Sequence, residues 1–309
     1  MTQKIFIDGE VGTTGLQIAA RLDTRSDISL IRLGESERKD PAARKEALRA
    51  ADIAILCLPD AASKEAYEMV QGTETRLLDA STAHRVAEGW VYGFAEMTAG
   101  QAEAIANARY VANPGCYPTG AIGLLRPLRE AGLLPAGLPV SVNAVSGYTG
   151  GGKAMIAEFE TGQESGGFVY ATSQAHKHLP EMQQYSLLDG APIFVPSVGN
   201  FAQGMIVQIP LHLTTLPRTP SLADLHAALA AHYTGSTFVK VLPLDAEQGR
   251  IQAQALNDTN MLELRVCGDA AKGQAVLVAV LDNLGKGASG AAVQNLNLMM
   301  GVDQTTGLV

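Results

Sequence analysis

Cys116 lies in Asn113-Pro114-Gly115-Cys116-Tyr117-Pro118-Thr119-Gly120, a turn that runs straight into the helical pattern Ala121 to Ala131. A thiol at a helix N-terminus meets the positive end of the dipole and unpaired N–H groups, and both favour the nucleophilic thiolate. The other two cysteines lack that setting. Cys57 falls inside the apolar run Ile53 to Leu58, and Cys267 ends the run Leu262 to Val266. Both are expected as buried strand thiols, made inert by packing.

Further along, Gln174-Ala175-His176-Lys177-His178-Leu179-Pro180-Glu181 sets two of the six histidines two residues apart. In an extended segment residues i and i+2 share a face, so both imidazoles could enter one cleft. Either could serve the thiol as general base and later as acid. A zinc pair is the rival reading, but no third soft ligand lies nearby in the sequence, and no metal is expected. His212, His226 and His232 fall in strand-like or helix-like segments and read as structural.

Three loops suit anions. Gly9-x-x-Gly12-x-x-Gly15 follows the first strand pattern, with Val11, Thr13 and Thr14 between the glycines. Glycines there permit a tight turn, and the helix that follows offers N–H groups to a pyrophosphate. At the end of the second strand, Ser36, Arg38 and Lys39 could hold a ribose 2′-phosphate, whereas Glu35 or Glu37 could grip a free 2′-hydroxyl. The two adjacent cations favour NADP. Ser146-Gly147-Tyr148-Thr149-Gly150-Gly151-Gly152-Lys153 leads into a helix and could close on a phosphate or carboxylate. Ser81-Thr82-Ala83-His84-Arg85 follows a strand end, where open α/β sheets bind ligands. Asn283-Leu284-Gly285-Lys286-Gly287 is a Gly-rich entry to the last helix.

The elements that must position these groups alternate at first. Strand patterns at Lys4 to Asp8, Ile28 to Leu33, Ile53 to Leu58 and Arg76 to Asp79 are separated by helical ones at Leu16 to Leu22, Pro41 to Ala50 and Ala62 to Val70. Near-continuous apolar strands in a βαβ rhythm predict a parallel sheet covered on both faces. After Cys116 the strands lengthen: Val140 to Val145, Met205 to Leu213, Ser236 to Leu242 and Leu262 to Val266. Amphipathic stretches at Ala154 to Glu160 and Leu222 to His232 complete an α+β second domain, and Ala288 to Met300 is helical again.

A length of 309 residues suits two domains. A formal net charge of −8 argues against nucleic-acid or anionic-membrane partners, which want a basic face. Three cysteines without tight spacing make no disulfide framework, as expected of a cytoplasmic chain. No secretory pattern precedes the first strand, and the longest apolar run, Ala275 to Leu281, is far below a membrane span.

With these motifs in order along nearly the whole chain, the sequence resembles the N-acetyl-gamma-glutamyl-phosphate reductase family, in its shorter type. The resemblance rests on Asn113 to Thr119, Ala144 to Lys153, His176 to Glu181 and Asp282 to Ala288, with the cysteine turn the most specific. It implies an α/β protein with a Rossmann dinucleotide-binding domain at 1–116, completed by a C-terminal helix at 286–309. An α+β substrate and dimerisation domain of the semialdehyde dehydrogenase type follows at 117–285. The implied chemistry is NADPH-dependent reduction of an acyl phosphate through a thioester on Cys116, with His178 or His176 moving the proton, in arginine biosynthesis.

Cofactor contacts are expected from Gly9, Val11, Gly12, Thr13, Thr14, Gly15, Ser36, Arg38, Lys39, Pro59, Ser81, Asn283 and Gly287. Substrate contacts are expected from Arg85, Asn113, Ser146, Gly147, Lys153, Glu181 and Asn200. The resemblance also implies a homodimer or homotetramer. One departure is Glu10-Val11, where many relatives begin the loop with small residues. Aspartate-semialdehyde dehydrogenase chemistry is the nearest alternative. A non-catalytic NADP-binding sensor is another, and a cysteine hydrolase would leave the nucleotide loop without a purpose.

Overall fold

The computed structural model describes residues 2–246 and 249–308. Residues 1, 247, 248 and 309, which the expected domain ranges include, lie outside the described residues. Two compact units divide the chain. Unit 1 holds Met1–Ala95, Gly100–Pro114 and Ala288–Val309, and unit 2 holds Glu96–Ala99 and Gly115–Gly287.

Unit 1 contains β1 (Gln3–Asp8), α1 (Thr13–Leu22), β2 (Ile28–Ile31), α2 (Pro41–Ala50), β3 (Ile53–Leu56), α3 (Asp60–Met69), β4 (Arg76–Asp79), β5 (Val91–Tyr92), α4 (Gln101–Asn107) and β6 (Tyr110–Ala112). The strands form one sheet in the order β2-β1-β3-β4-β6-β5, parallel throughout. Every residue of β3 is buried, as a strand covered on both faces requires. Pro41 opens α2 and the Asp40 side chain accepts from Ala42 N at 3.0 Å, so that helix carries both of its start signals in sequence. Phe6, Leu48, Ala54, Leu56, Val70 and Leu77 form a core between sheet and helices. Strand β3 ends at Leu56, two residues short of the apolar run, because Cys57 and Leu58 turn over the nucleotide loop.

Unit 2 contains α5 (Cys116–Glu130), β7 (Ser141–Gly147), α6 (Gly152–Glu160), β8 (Phe168–Val169), α7 (Leu179–Tyr185), β9 (Ile193–Gly199), β10 (Met205–His212), α8 (Leu222–His232), β11 (Val239–Val241), β12 (Leu262–Asp269) and β13 (Gln274–Leu281). The sheet order is β11-β12-β13-β10-β7-β9-β8. Its central pairs β12–β13, β13–β10 and β10–β7 are antiparallel, while β7–β9 and β11–β12 are parallel. Helix α5 lies against β10 and β13. Gly120 makes that approach possible, since a Cβ there would come within 2.8 Å of Val207 Cγ2 and 3.3 Å of Ala279 Cβ.

The strand expected over Ser236 to Leu242 shrinks to Val239–Val241, because Ser236 N donates to Tyr233 O and extends the turn after α8. The last helix, α9 (Gly290–Met300), belongs to unit 1 and is preceded by a π-helical turn over Gly285–Ser289. Among the described residues no helix is long and apolar enough to cross a membrane.

Candidate active site

In unit 2 the nucleophile candidate is the first residue of α5. Gly115 ahead of it is extended, with φ −73 and ψ 152, and no side chain caps the helix. Instead the buried Glu181 Oε2 accepts from Gly115 N at 3.1 Å. Thr119 Oγ1 donates to Gly115 O at 2.9 Å and closes the first turn. Cys116 itself is half-buried, and none of the three cysteines is in a disulfide.

Tyr117 carries the architecture around the thiol. Its ring sits 5.9 Å from His178, 6.3 Å from His176 and 5.1 Å from Phe194. Its hydroxyl donates to Ser197 O at 3.2 Å and accepts from Tyr170 OH at 3.3 Å. Ser146, buried and bonded to Gly147 O at 3.1 Å, also reaches that phenol. Burial pushes both phenols up, Tyr170 to about 12, so they act as neutral hydrogen-bonding groups at physiological pH.

The two histidine rings are 4.6 Å apart, though not by lying on one face of an extended segment. They lie in the irregular chain and turn just ahead of α7, and the His178 N–H folds back to donate to His176 Nδ1 at 3.1 Å. With Nδ1 accepting, the neutral His176 ring carries its proton on Nε2. His178 is buried and stands at the N-cap position of α7 without a side-chain capping bond.

The Gly-rich turn before the last helix closes over the cysteine. A Cβ on Gly287 would fall 2.8 Å from Cys116 Cβ and 3.0 Å from Asp282 O, so only glycine fits. Asn283 fixes that turn, donating from Nδ2 to Thr149 Oγ1 at 3.0 Å and accepting at Oδ1 from Gly204 N at 2.7 Å. Next to it the buried Lys286 Nζ meets both oxygens of Glu96 at 2.8 and 2.7 Å, over the Phe238 ring. Gly147 is equally constrained, since a Cβ there would strike the Ala202 carbonyl. Lys153 and Asn200 are exposed, and Asn200 Nδ2 is held by Ser165 O at 3.0 Å.

Unit 1 supplies a separate cradle. Gly9 has φ +88, and a Cβ there would collide with the Cys57 carbonyl; one on Gly15 would come within 2.5 Å of Gly9 O. Gly12 N donates to Gly9 O at 2.9 Å, and Gly12 opens α1 without a side-chain cap. Val11 is exposed, and Thr13 and Thr14 are half-buried in the first turn. A cavity of about 500 Å³ brings Gly9, Glu10, Val11, Glu35, Arg38 and Lys39 together beside Asp8 and Arg44. Ser36 is exposed and lies outside the lining of that cavity. The donor set fits an anionic dinucleotide: an open helix start at one end and two cations at the other.

Ser81 and Arg85 are turned inward. Ser81 Oγ donates to Asp79 Oδ2 at 2.8 Å, where His84 Nδ1 also bonds at 2.6 Å. Arg85 Nε donates to Asn113 O at 3.0 Å. Asn113 Nδ2 donates to Ala288 O and its Oδ1 accepts from Asn295, both at 3.0 Å. Pro59 is exposed at the start of α3. Burial, with Asp79 and Asp8 adding to it, pushes the Cys57 thiol up to about 12. Cys267 is only partly buried in β12, because its side chain stands on the less covered face of that sheet.

Sequence reasoning missed Tyr170, Phe194, Glu96 and Lys286. Lys286 lies within a quoted Gly-Lys-Gly motif, whereas nothing local marks Glu96, whose partner is 190 residues away. Among the described residues no group of three His, Cys, Asp or Glu could hold a metal ion.

Known proteins match on this frame. The family model of the semialdehyde dehydrogenase NAD-binding domain covers residues 4–108, and that of the semialdehyde dehydrogenase dimerisation domain covers 116–283. The chain is 58% identical to the N-acetyl-gamma-glutamyl-phosphate reductase of Brucella anthropi, covering 97% of this chain and 99% of that protein. The same identity holds for the enzyme of that name from Brucella suis, covering 97% and 100%. Among solved structures, aspartate semialdehyde dehydrogenase II from Vibrio cholerae superposes with a TM-score of 0.72 at 15% identity, over 97% of this chain and 98% of that one. Aspartate semialdehyde dehydrogenase with NADP from Candida albicans gives 0.63 at 12%, over 97% and 99%. These structural likenesses carry the fold.

Proposed function

The chain belongs to the N-acetyl-gamma-glutamyl-phosphate reductases of the semialdehyde dehydrogenase family, and we propose that it reduces N-acetyl-gamma-glutamyl phosphate to N-acetylglutamate 5-semialdehyde and phosphate. The observation that carries the mechanism is the thiol at the start of α5, roofed by Gly287 and followed by Tyr117, whose ring packs against both imidazoles. In this reading Cys116 Sγ attacks the acyl carbon and phosphate leaves, giving a thioester. NADPH, held by the loop at 9–15 with Arg38 and Lys39, would supply a hydride; with a proton from an imidazole the thioester on Cys116 becomes a thiohemiacetal, which collapses to aldehyde and thiol. Backbone donors beside Cys116 hold the developing oxyanion.

The proton work falls to His178. Because His176 Nδ1 is already an acceptor, its Nε2 is a donor and suits substrate oxygen rather than base chemistry. Ser146 and Glu181, bonded to the Tyr117 phenol and to Gly115 N, are with Gly147 the favoured substrate contacts, and Lys153, Asn200, Arg85 and Asn113 are outlying candidates. NADP preference is supported by Arg38 and Lys39 on the cavity wall. In this scheme residues 1–116 with 286–309 bind the dinucleotide, with Gly9, Val11, Gly12, Thr13, Thr14 and Gly15 on the phosphates. Pro59 and Ser81 in unit 1, and Asn283 and Gly287 in unit 2, are further candidate cofactor contacts, and 117–285 supplies substrate binding and subunit pairing. A homodimer or homotetramer acting in the cytoplasm follows from the same reading, and light scattering measures the first.

The direct test follows absorbance at the NADPH band on adding N-acetylglutamyl phosphate, with aspartyl phosphate as the comparison. A steady decrease with the first and none with the second is expected. Turnover of aspartyl phosphate alone would reassign the substrate.

A further inference from the structure

We infer that Gln174 is a positioning residue for the imidazole pair, acting through a side-chain amide that stands in for a missing stretch of β-strand. The inference rests on the reductase reading above for its kinetic arm only.

Strand β8 pairs with β9 at Phe168↔Val198 and Val169↔Ser197, and the ladder continues for one more bond, Tyr170 N to Pro196 O at 3.1 Å. The chain then leaves the edge of β9 through a turn with Ala171 at φ +50 and Gln174 at φ +59. Left-handed backbone at two non-glycine residues is costly and persists where something else over-determines it. At Gln174 that something is its own amide. Nε2 donates to Phe194 O at 2.9 Å, and Oε1 accepts from Phe194 N at 2.8 Å. Phe194 is the next β9 residue, two on from Pro196, to present its backbone toward the edge that β8 has vacated. Both of its groups are thus taken by one planar amide, as a neighbouring strand's peptide groups would take them.

The grip sits two residues before His176 and four before His178. Phe194 is also held on both sides: its backbone is bound to Gln174, and its ring lies 5.0 Å from the His176 ring and 5.1 Å from Tyr117. The turn segment therefore has two anchors on one strand, at Pro196 and Phe194, and the imidazoles hang from the second. Without the amide, the segment from Ala171 to Lys177 would lose its second hydrogen-bonded anchor on β9.

The experiment compares Gln174→Ala, Gln174→Gly and Gln174→Glu in the full chain, measuring kcat, KM, NADPH dissociation by fluorescence, and the pH profile of Cys116 alkylation by iodoacetamide. Ala and Gly should each lower kcat by about 10–100-fold, the scale of a misplaced reacting group, with NADPH binding unchanged. Gly suits the left-handed backbone, so an equal loss in both variants assigns the effect to the amide. A protonated glutamic acid can both donate and accept as the amide does. The Gln174→Glu variant should therefore recover toward wild type, as a ratio at each pH, as pH falls from about 7 to 5.

Wild-type kcat in Gln174→Ala would overturn the inference. So would losses that track a fall in Tm and in NADPH binding with no pH-dependent recovery in Gln174→Glu, which is how a merely structural residue behaves. If wild type itself fails to turn over the acyl phosphate, the reductase reading falls alone. The alkylation profile then decides: a profile in Gln174→Ala that matches wild type sinks the role of Gln174, and a displaced one upholds it.

Discussion

The starts of α1 and α5 are built alike and used differently. Each opens on an extended glycine with φ −73, each lacks a side-chain cap, and neither has an acidic residue in its first turn. Helices α2 and α8, by contrast, satisfy their own first N–H groups through Asp40 and through the Ser221–Asp224 capping box. At α1 the loop closes on backbone alone, Gly12 N to Gly9 O, leaving the remaining donors and the dipole for a ligand from outside. At α5 the N–H of Gly115 is already taken by Glu181, and the group proposed to react is the helix's own first side chain. An uncapped helix start is thus a resource, and its neighbours decide whether it binds an anion or tunes a thiol.

Four substitutions or conditions press on that contrast. Cys116→Ser should lower turnover by about 10⁴-fold or more while leaving NADPH affinity intact. Loss of both together in a fluorescence titration would make the residue structural and erase the distinction between the two helix starts. Arg38→Ala or Lys39→Ala should weaken NADPH binding by about 10-fold or more and leave NADH binding and Cys116 alkylation unchanged, since each would remove the charge-assisted contact proposed to a 2′-phosphate. Equal weakening of both nucleotides would remove the reason for preferring NADP.

Glu181→Gln keeps an acceptor for Gly115 N but removes an acidic group at the start of α5. Alkylation of Cys116 at neutral pH should then quicken by a few-fold, on the order of 1 kcal/mol or less of Coulomb interaction. A slower reaction would show that Glu181 serves orientation instead. The effect furthest from the site concerns Cys57, whose thiol burial pushes up from an ordinary 9.0 to about 12. Its contribution to stability is complete below pH 9 and lost as pH rises toward 12. Urea midpoints for Cys57→Ala should accordingly fall less steeply over that range than those of wild type.

Much of this arrangement was legible beforehand because its determinants are local. Pro41 after Asp40 marks α2, and the continuous apolar run at Ile53 marks a strand buried on both faces. Cys116 after Pro114-Gly115 marks the thiol turn. What stayed hidden depends on partners distant in the chain. Strand β13 showed only as an apolar run, since its central place comes from pairing with β10 and β12. Strand β9 is interrupted by Pro196 and looks unlike a strand, yet it holds the histidine turn. The histidines were found by their spacing for a different reason from the one that unites them, because a backbone N–H to imidazole bond leaves no periodic signature.

Gly120 gives the thiol a dependence on something four residues away. Because α5 rests on Val207 and Ala279 with no room for even one more carbon, the helix can neither slide nor lift without carrying its first residue along. A single methyl placed at that contact would act as a wedge under a lever, felt at the sulfur as a change of aim.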